Sequence, residues 1–446
     1  VLMMAHINHA GRVANPGLVP QEDLVSASDV LCRANGVTPR PLSQEGIDGI
    51  VSAFGAAARR VRAAGFDAIE IPFSHGYLIH QFLSPQSNHR EDDFGGSLEN
   101  RMRFGMQILA AVRAEVGRDF PIIVRMNAKD FVEGGLDIED ALVVARALDR
   151  SDVQGLSITS GTMCESPAFC LYPSGTPKAN LLPMSNRIRD AISLPVIVAG
   201  RIRSPDVARE ALELEQTDLI GLGRPFLADP DWVHKVESGD EESILLCAAC
   251  HQGCLAQLRT GLGTHCMFNP LTGRESEIEI TPARHSLEMM VVGGGPAGLE
   301  VAIIASQRGH KVTLYEQENH LGGQFALAAK APHKEEFTQI IEQMTLMAQR
   351  SGVDIHLGTL VNKGMVLEES PAVLIIATGG NPLKIPFPGI ELTRLLMAAD
   401  ILEGVEQVET HTAFVVGGGL VGLESADYLA ARGVQVTLVE MLPDVG

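Results

Sequence analysis

The chain has 446 residues, 45% of them hydrophobic and 20% charged, enough apolar material for two or three separate cores. Its 35 Lys and Arg against 55 Asp and Glu leave a net charge of -20, which repels polyphosphate and anionic lipid and argues against a nucleic-acid or membrane-surface role. No charge-free apolar run reaches the roughly 18 residues a bilayer span needs, and no basic-then-apolar leader opens the sequence, so a cytoplasmic protein is expected.

From 1 to about 236, short β-branched runs alternate with longer helical patterns, as in a parallel sheet with crossover helices. Six strands are predicted, at 1–7, 67–72, 121–127, 153–159, 195–199 and 218–223. The first reads as starting inside a buried strand, as though the chain were cut there. Ser43 is placed to cap a helix over 44–64 that Gly65 would stop. Six such units fit an α/β fold of the (β/α)8 TIM-barrel kind lacking its first two strands better than an open doubly wound sheet, although periodicity alone does not separate the two.

In that region Ser74-His75-Gly76-Tyr77 follows a strand directly, at the end where barrel chemistry sits. A tyrosine with an ordinary pKa near 10 stays protonated at neutral pH and can hand a proton to a carbanion; His75 could hydrogen-bond a carbonyl. Arg125 lies in an otherwise apolar strand, so its guanidinium needs either a polar ligand such as a flavin's N1/O2 edge or a carboxylate partner. Gly200-Arg201 and Gly223-Arg224 follow the last two strands, where barrels hold phosphate. Cys32, Cys164 and Cys170 read as ordinary residues.

The stretch 237–285 reads as a metal-stapled linker. Its cysteines run Cys247-x2-Cys250-x3-Cys254-x11-Cys266, so three thiolates on one loop can face a centre that the fourth closes. They fit either a 4Fe-4S cluster or zinc, and the asymmetric spacing beside dinucleotide units favours the redox cluster.

From 286 onward one motif is written twice. Met290-Val-Val-Gly293-Gly-Gly295-Pro-Ala-Gly298-Leu-Glu300 returns as Phe414-Val-Val-Gly417-Gly-Gly419-Leu-Val-Gly422-Leu-Glu424, each copy followed by a strand ending in Glu316 or Glu440. A strand, a glycine turn, a helix and a second strand ending in an acid form the dinucleotide fingerprint, the glycines admitting pyrophosphate to a helix N-terminus and the acid accepting from ribose. Glu440 would repel a 2'-phosphate, which favours NADH over NADPH. Val373 to Gly380, with Thr378 and Gly379, has the form of a sheet closing against a bound dinucleotide. The units are expected over 286–385 and 386–446, the second reading as cut after its strand 434–440.

His9-Ala-Gly-Arg12, His75-Gly-Tyr77, Gln81-Phe-Leu-Ser-Pro85, Asn88-x-Arg90, Gly95-Gly-Ser-x-Glu-Asn-Arg101 and Gly223-Arg-Pro-Phe-Leu-Ala-Asp-Pro230 resemble the barrel of the Old Yellow Enzyme (NADH:flavin oxidoreductase) family. With the cysteine cluster and two dinucleotide units appended, the chain resembles that family's three-cofactor branch, of the 2,4-dienoyl-CoA reductase, 2-enoate reductase and trimethylamine dehydrogenase type. The resemblance implies FMN in the barrel, held by His6, Arg125, Gly200, Gly223 and Arg224. It implies FAD at Gly293, Gly295, Gly298, Glu316, Gln324, Thr378 and Gly379, and NADH at Gly417, Gly419, Gly422 and Glu440. Electrons would pass from NADH through FAD and the 4Fe-4S cluster to FMN, which would reduce an enoate or enoyl thioester while Tyr77 protonates the adjacent carbon. An amine dehydrogenase or demethylase, or an electron-relay module, is the alternative; homo-oligomers are left open.

Three positions depart from the family pattern. His6 replaces a glutamine that bonds the flavin pyrimidine, Pro72 replaces the first of two substrate-binding histidines, and Cys164 lies where dienoyl-CoA reductases carry an active-site histidine. Glu165, or no residue, is left to take that histidine's part.

Overall fold

The structure, a computed structural model, describes residues 1–446 apart from Leu258, Arg259, Ile385, Phe387, Thr393, Glu406, Gln407 and Glu409. Two units are distinct, Val1–Gly223 and Arg224–Gly446.

In the first unit, strands Met4–His6, Ala68–Phe73, Ile122–Asn127, Gly155–Thr159, Val196–Ala199 and Leu219–Gly221 form one parallel sheet whose spatial order is the chain order. That sequential order, with each strand beside the next, belongs to a curling barrel; an open doubly wound sheet reverses its order at a switch point. Ser43 Oγ accepts the Gly46 N–H at 3.2 Å to start helix Gln44–Ala63, and Gly65, at φ +83°, ends it as predicted.

Strand alternation sorts the side chains. Ile69, Ile71, Ile122, Val124, Leu156 and Ile158 point to one face and pack on Phe104, Ile108 and Val112 of helix Leu98–Val116 and its neighbours, all fully buried. Each contributes about 1.5–3 kcal/mol by leaving water. The other face carries Glu70, Arg125, Asn127, Ser157 and Thr159. An apolar exterior face therefore fixes which polar groups are presented inward.

In the second unit, strands Asp354–His356, Lys311–Tyr315, Glu288–Val292 and Val373–Ile376 form a parallel sheet in that spatial order, the first strand in sequence lying inside the sheet. Thr412–Val416 and Gln435–Val439 form a separate parallel pair. After each leading strand a glycine turn opens a helix, Pro296–Gln307 in one copy and Leu420–Ala430 in the other. A Cβ at Gly298 would lie 1.9 Å from the Gly293 carbonyl, and one at Gly422 1.8 Å from the Gly417 carbonyl, so both turns require glycine there. No helix among the described residues is long and apolar enough to cross a membrane.

Candidate active site

Three neighbouring strands of the first unit bring His6, Glu70 and Arg125 into a row. His6 Nδ1 lies 2.9 Å from Glu70 Oε1, and Arg125 Nε lies 3.4 Å from the same oxygen and 3.2 Å from Ser157 Oγ. Burial alone would raise the Glu70 carboxyl, but the hydrogen bond from His6 and the charges of Arg125 and His6 outweigh it and keep the group below the usual carboxylate range. Of the two sequence readings of Arg125, the carboxylate partner is present, and it engages Nε. The two terminal amines have no protein partner among the described residues, and the side chain is 31% exposed.

At the C-terminal ends of these strands stand His75 and Tyr77. His75 adopts φ +60°, the left-handed region, and Gly76 φ +78°, which turns the chain sharply into helix Leu78–Leu83 with Tyr77 as its first cap. The turn is held by the His75 N–H donating to Asn127 Oδ1 at 3.2 Å and by the His75 carbonyl accepting from Met163 N at 3.0 Å. His75 Nε2 lies 2.6 Å from Thr159 Oγ1. Burial, then the charges of Arg125, His80 and His6, push His75 down to about 3, so its ring is neutral at physiological pH. Burial raises the Tyr77 phenol above its ordinary value, with Cys170 adding and Arg125 opposing. Its hydroxyl has no protein partner among the described residues, and its ring meets His75 edge-on at 6.3 Å between centroids.

Behind the pair lies a buried network that no sequence motif marks. Asp130 Oδ1 accepts from His80 Nε2 and Asn127 Nδ2, both at 2.9 Å, and Oδ2 accepts from Ser84 Oγ at 2.7 Å and Leu136 N at 2.9 Å. Asn127 Nδ2 also donates to the Gly161 carbonyl at 2.8 Å. Burial works against the Asp130 charge, but His80, Asn127 and Ser84 overcome it and hold the carboxyl below its ordinary range. One carboxylate thus ties the helix after Tyr77 to the end of strand Ile122–Asn127.

Glu165 is held in a buried ion pair. Arg12 Nη2 donates to its Oε1 at 2.7 Å and Thr162 Oγ1 to its Oε2 at 2.8 Å, with both members of the ion pair buried. Beside it, Cys32 and Cys164, read as ordinary residues, are joined as a disulfide with Cα atoms 5.1 Å apart, while Cys170 is free. A separation of 132 residues hides such a pair from any local pattern. Of the phosphate residues, Gly200 takes φ +143° with the Tyr172 ring 3.2 Å from where a Cβ would stand, and Gly223 faces open space.

Arg224 opens the second unit, where it bonds His251 Nε2 and lines a cavity together with Cys247, Cys250, Cys254 and Cys266. All four thiols are free of disulfides. Burial and the neighbouring sulfurs push Cys250 and Cys266 up despite backbone N–H groups that act the other way, so both thiols hold their protons here. Among the described residues, no group of three or more His, Cys, Asp or Glu closes on a single metal ion.

In the dinucleotide turns, Glu316 Oε2 accepts from Gly294 N at 2.7 Å and Oε1 from Glu318 N at 2.9 Å. Glu440 repeats this, accepting from the N–H groups of Gly418, Met441 and Leu442, which hold its carboxyl below the usual range. Gly295 and Gly419 face open space at the two helix starts. Thr378 N lies 3.1 Å from a Cβ built at Gly293, and Gln324 Nε2 donates to the Gly380 carbonyl, so the strand end and Gln324 both gather at the first turn.

Known proteins carry the same arrangement. Residues 2–243 match the NADH:flavin oxidoreductase / NADH oxidase family and residues 287–446 the pyridine nucleotide-disulphide oxidoreductase family. The chain is 38% identical over 446 residues to an NADH oxidase of Thermoanaerobacter brockii, covering 98% of this chain and 68% of that one. It is 32% identical over 450 residues to a cinnamate reductase of Clostridium sporogenes, covering 98% and 67%. A solved 2-naphthoyl-CoA reductase superposes with a TM-score of 0.91 at 32% identity, over 98% of this chain and 68% of that one. The chain thus spans about two thirds of the length of these relatives. By both sequence and fold, it is an oxidoreductase that belongs to the NADH:flavin oxidoreductase / NADH oxidase family.

Proposed function

We propose that the protein reduces a C=C bond conjugated to a thioester or carboxylate at the expense of NADH, with Tyr77 as proton donor. The observation that carries this reading is a protonated, unpartnered tyrosine hydroxyl beside a neutral histidine, at the end of the barrel where Arg125 leaves two amines free. The relatives that reduce cinnamate and naphthoyl-CoA support the substrate class.

We assign the implied cofactors to the residues that the sequence marks for them. Arg125, His6, Gly200, Gly223 and Arg224 would hold FMN; Gly293, Gly295, Gly298, Glu316, Gln324, Thr378 and Gly379 would hold FAD; Gly417, Gly419, Gly422 and Glu440 would hold NADH. Cys247, Cys250, Cys254 and Cys266 would hold a 4Fe-4S cluster. When bound, these groups supply hydride at the barrel and a one-electron link between two flavins.

What the chain itself supplies is orientation and a proton. If the Thr159 hydroxyl donates to His75 Nε2, the neutral ring keeps its hydrogen on Nδ1, free to donate to a substrate carbonyl and to stabilise the charge that develops there. Tyr77 then delivers its proton to the carbon next to that carbonyl. Its raised pKa keeps the proton in place across the physiological range. Tyr77→Phe tests this: cinnamate- or enoyl-CoA-dependent turnover should fall about 10²- to 10⁴-fold while NADH-driven flavin bleaching is unchanged. Full turnover in Tyr77→Phe, or bleaching by amines without NADH, would contradict it.

A further inference from the structure

The geometry points to Glu70 as a positioning residue that sets the reducing power of the barrel flavin by neutralising Arg125 and fixing His6. The inference rests on the reading above that FMN occupies the inward face of the first unit.

Glu70 is shared. It sits on strand Ala68–Phe73 between His6 on the strand to one side and Arg125 on the strand to the other, and a single oxygen, Oε1, meets both at 2.9 and 3.4 Å. Its side chain is 8% exposed, whereas those of His6 and Arg125 are 42% and 31% exposed. The carboxylate is therefore the buried member of the row, and its two partners are more exposed. Because Glu70 engages Nε of Arg125 and Nδ1 of His6, it orients both side chains while leaving free the Arg125 amines and His6 Nε2.

The electrostatic consequence follows from the sign of the charges. A two-electron-reduced flavin carries negative charge over N1 and C2=O. A lone guanidinium beside that edge stabilises the reduced form and makes the flavin a weaker hydride donor. A carboxylate at 3.4 Å from the same guanidinium cancels most of that effect in a site of low effective dielectric. Glu70 thereby keeps the reduced flavin reactive enough to attack an alkene.

The test is Glu70→Gln in the intact, FMN-loaded protein, read by redox titration of the flavin rather than by turnover. The ratio of reduced to oxidised FMN at a fixed potential should rise about tenfold or more, equivalent to about 30 mV for a two-electron couple. Glu70→Asp, which keeps the charge, should stay within about threefold of the unmodified protein. A Glu70→Gln ratio within about threefold of the unmodified one overturns the inference, as does a Glu70→Asp shift equal to that of Glu70→Gln. If Glu70→Gln retains no FMN, retention by Glu70→Asp supports the charge role and its loss there too overturns it. An unmodified protein that takes up no FMN would instead sink the reading on which this rests.

Discussion

An imidazole whose pKa has been pushed to about 3 is a hydrogen-bonding group and not an acid, which suits the proposed division of labour between His75 and Tyr77. The same burial that disables His75 as an acid lifts the Tyr77 phenol, so the proton stays on the residue proposed to give it away. The pH dependence of stability follows with a definite sign. His75 has a folded pKa of about 3 against an ordinary 6.5, so the unfolded chain binds the proton first as pH falls. Its contribution is fully present above about pH 6.5 and is lost progressively towards pH 3. Thermal unfolding followed across that window should show a fall in midpoint that His75→Gln reduces; an identical fall in both proteins would contradict the assignment. The partners that make this possible were only partly legible. His75 and Tyr77 stand in one motif, but His80 and Asp130 lie 50 residues apart with nothing local to join them, and their contact exists only once two strand ends meet.

At the scale of elements, short strands and glycine turns carry the site. The six barrel strands fall within a few residues of their predicted places because parallel strands buried on one face read as compact β-branched runs. Helix Gln44–Ala63 was equally legible, since Ser43 and Gly65 mark its two ends. The Cys32–Cys164 bond and the Arg12–Glu165 pair were not, for they join loops that sequence distance keeps apart. The glycine turns give a sharp prediction. Gly422→Ala would set a Cβ 1.8 Å from the Gly417 carbonyl, a backbone atom that cannot swing away. The turn must then open, at a cost of about 1–3 kcal/mol, or roughly 5- to 150-fold in NADH affinity measured by titration. The barrel should keep its turnover with dithionite in place of NADH. Unaltered NADH affinity would show that this turn does not hold the dinucleotide.

At the scale of the whole molecule, the sequence places a hydride acceptor turn, a second dinucleotide turn, four thiols and a barrel site on one chain. NADH gives up two electrons together, whereas a cysteine-ligated iron–sulfur centre carries one, so a flavin is needed on each side of it. On the proposed reading, that requirement accounts for a cysteine site between two flavin-binding modules. The four thiols are the member on which the order depends. Zinc bound there would be redox-inert and would leave the barrel flavin without its supply. The most direct measurement is therefore metal, sulfide and flavin analysis of the anaerobically purified protein. The account predicts iron and acid-labile sulfide in equal amount, about four of each per chain, with one FMN and one FAD; one zinc per chain with no sulfide would contradict it.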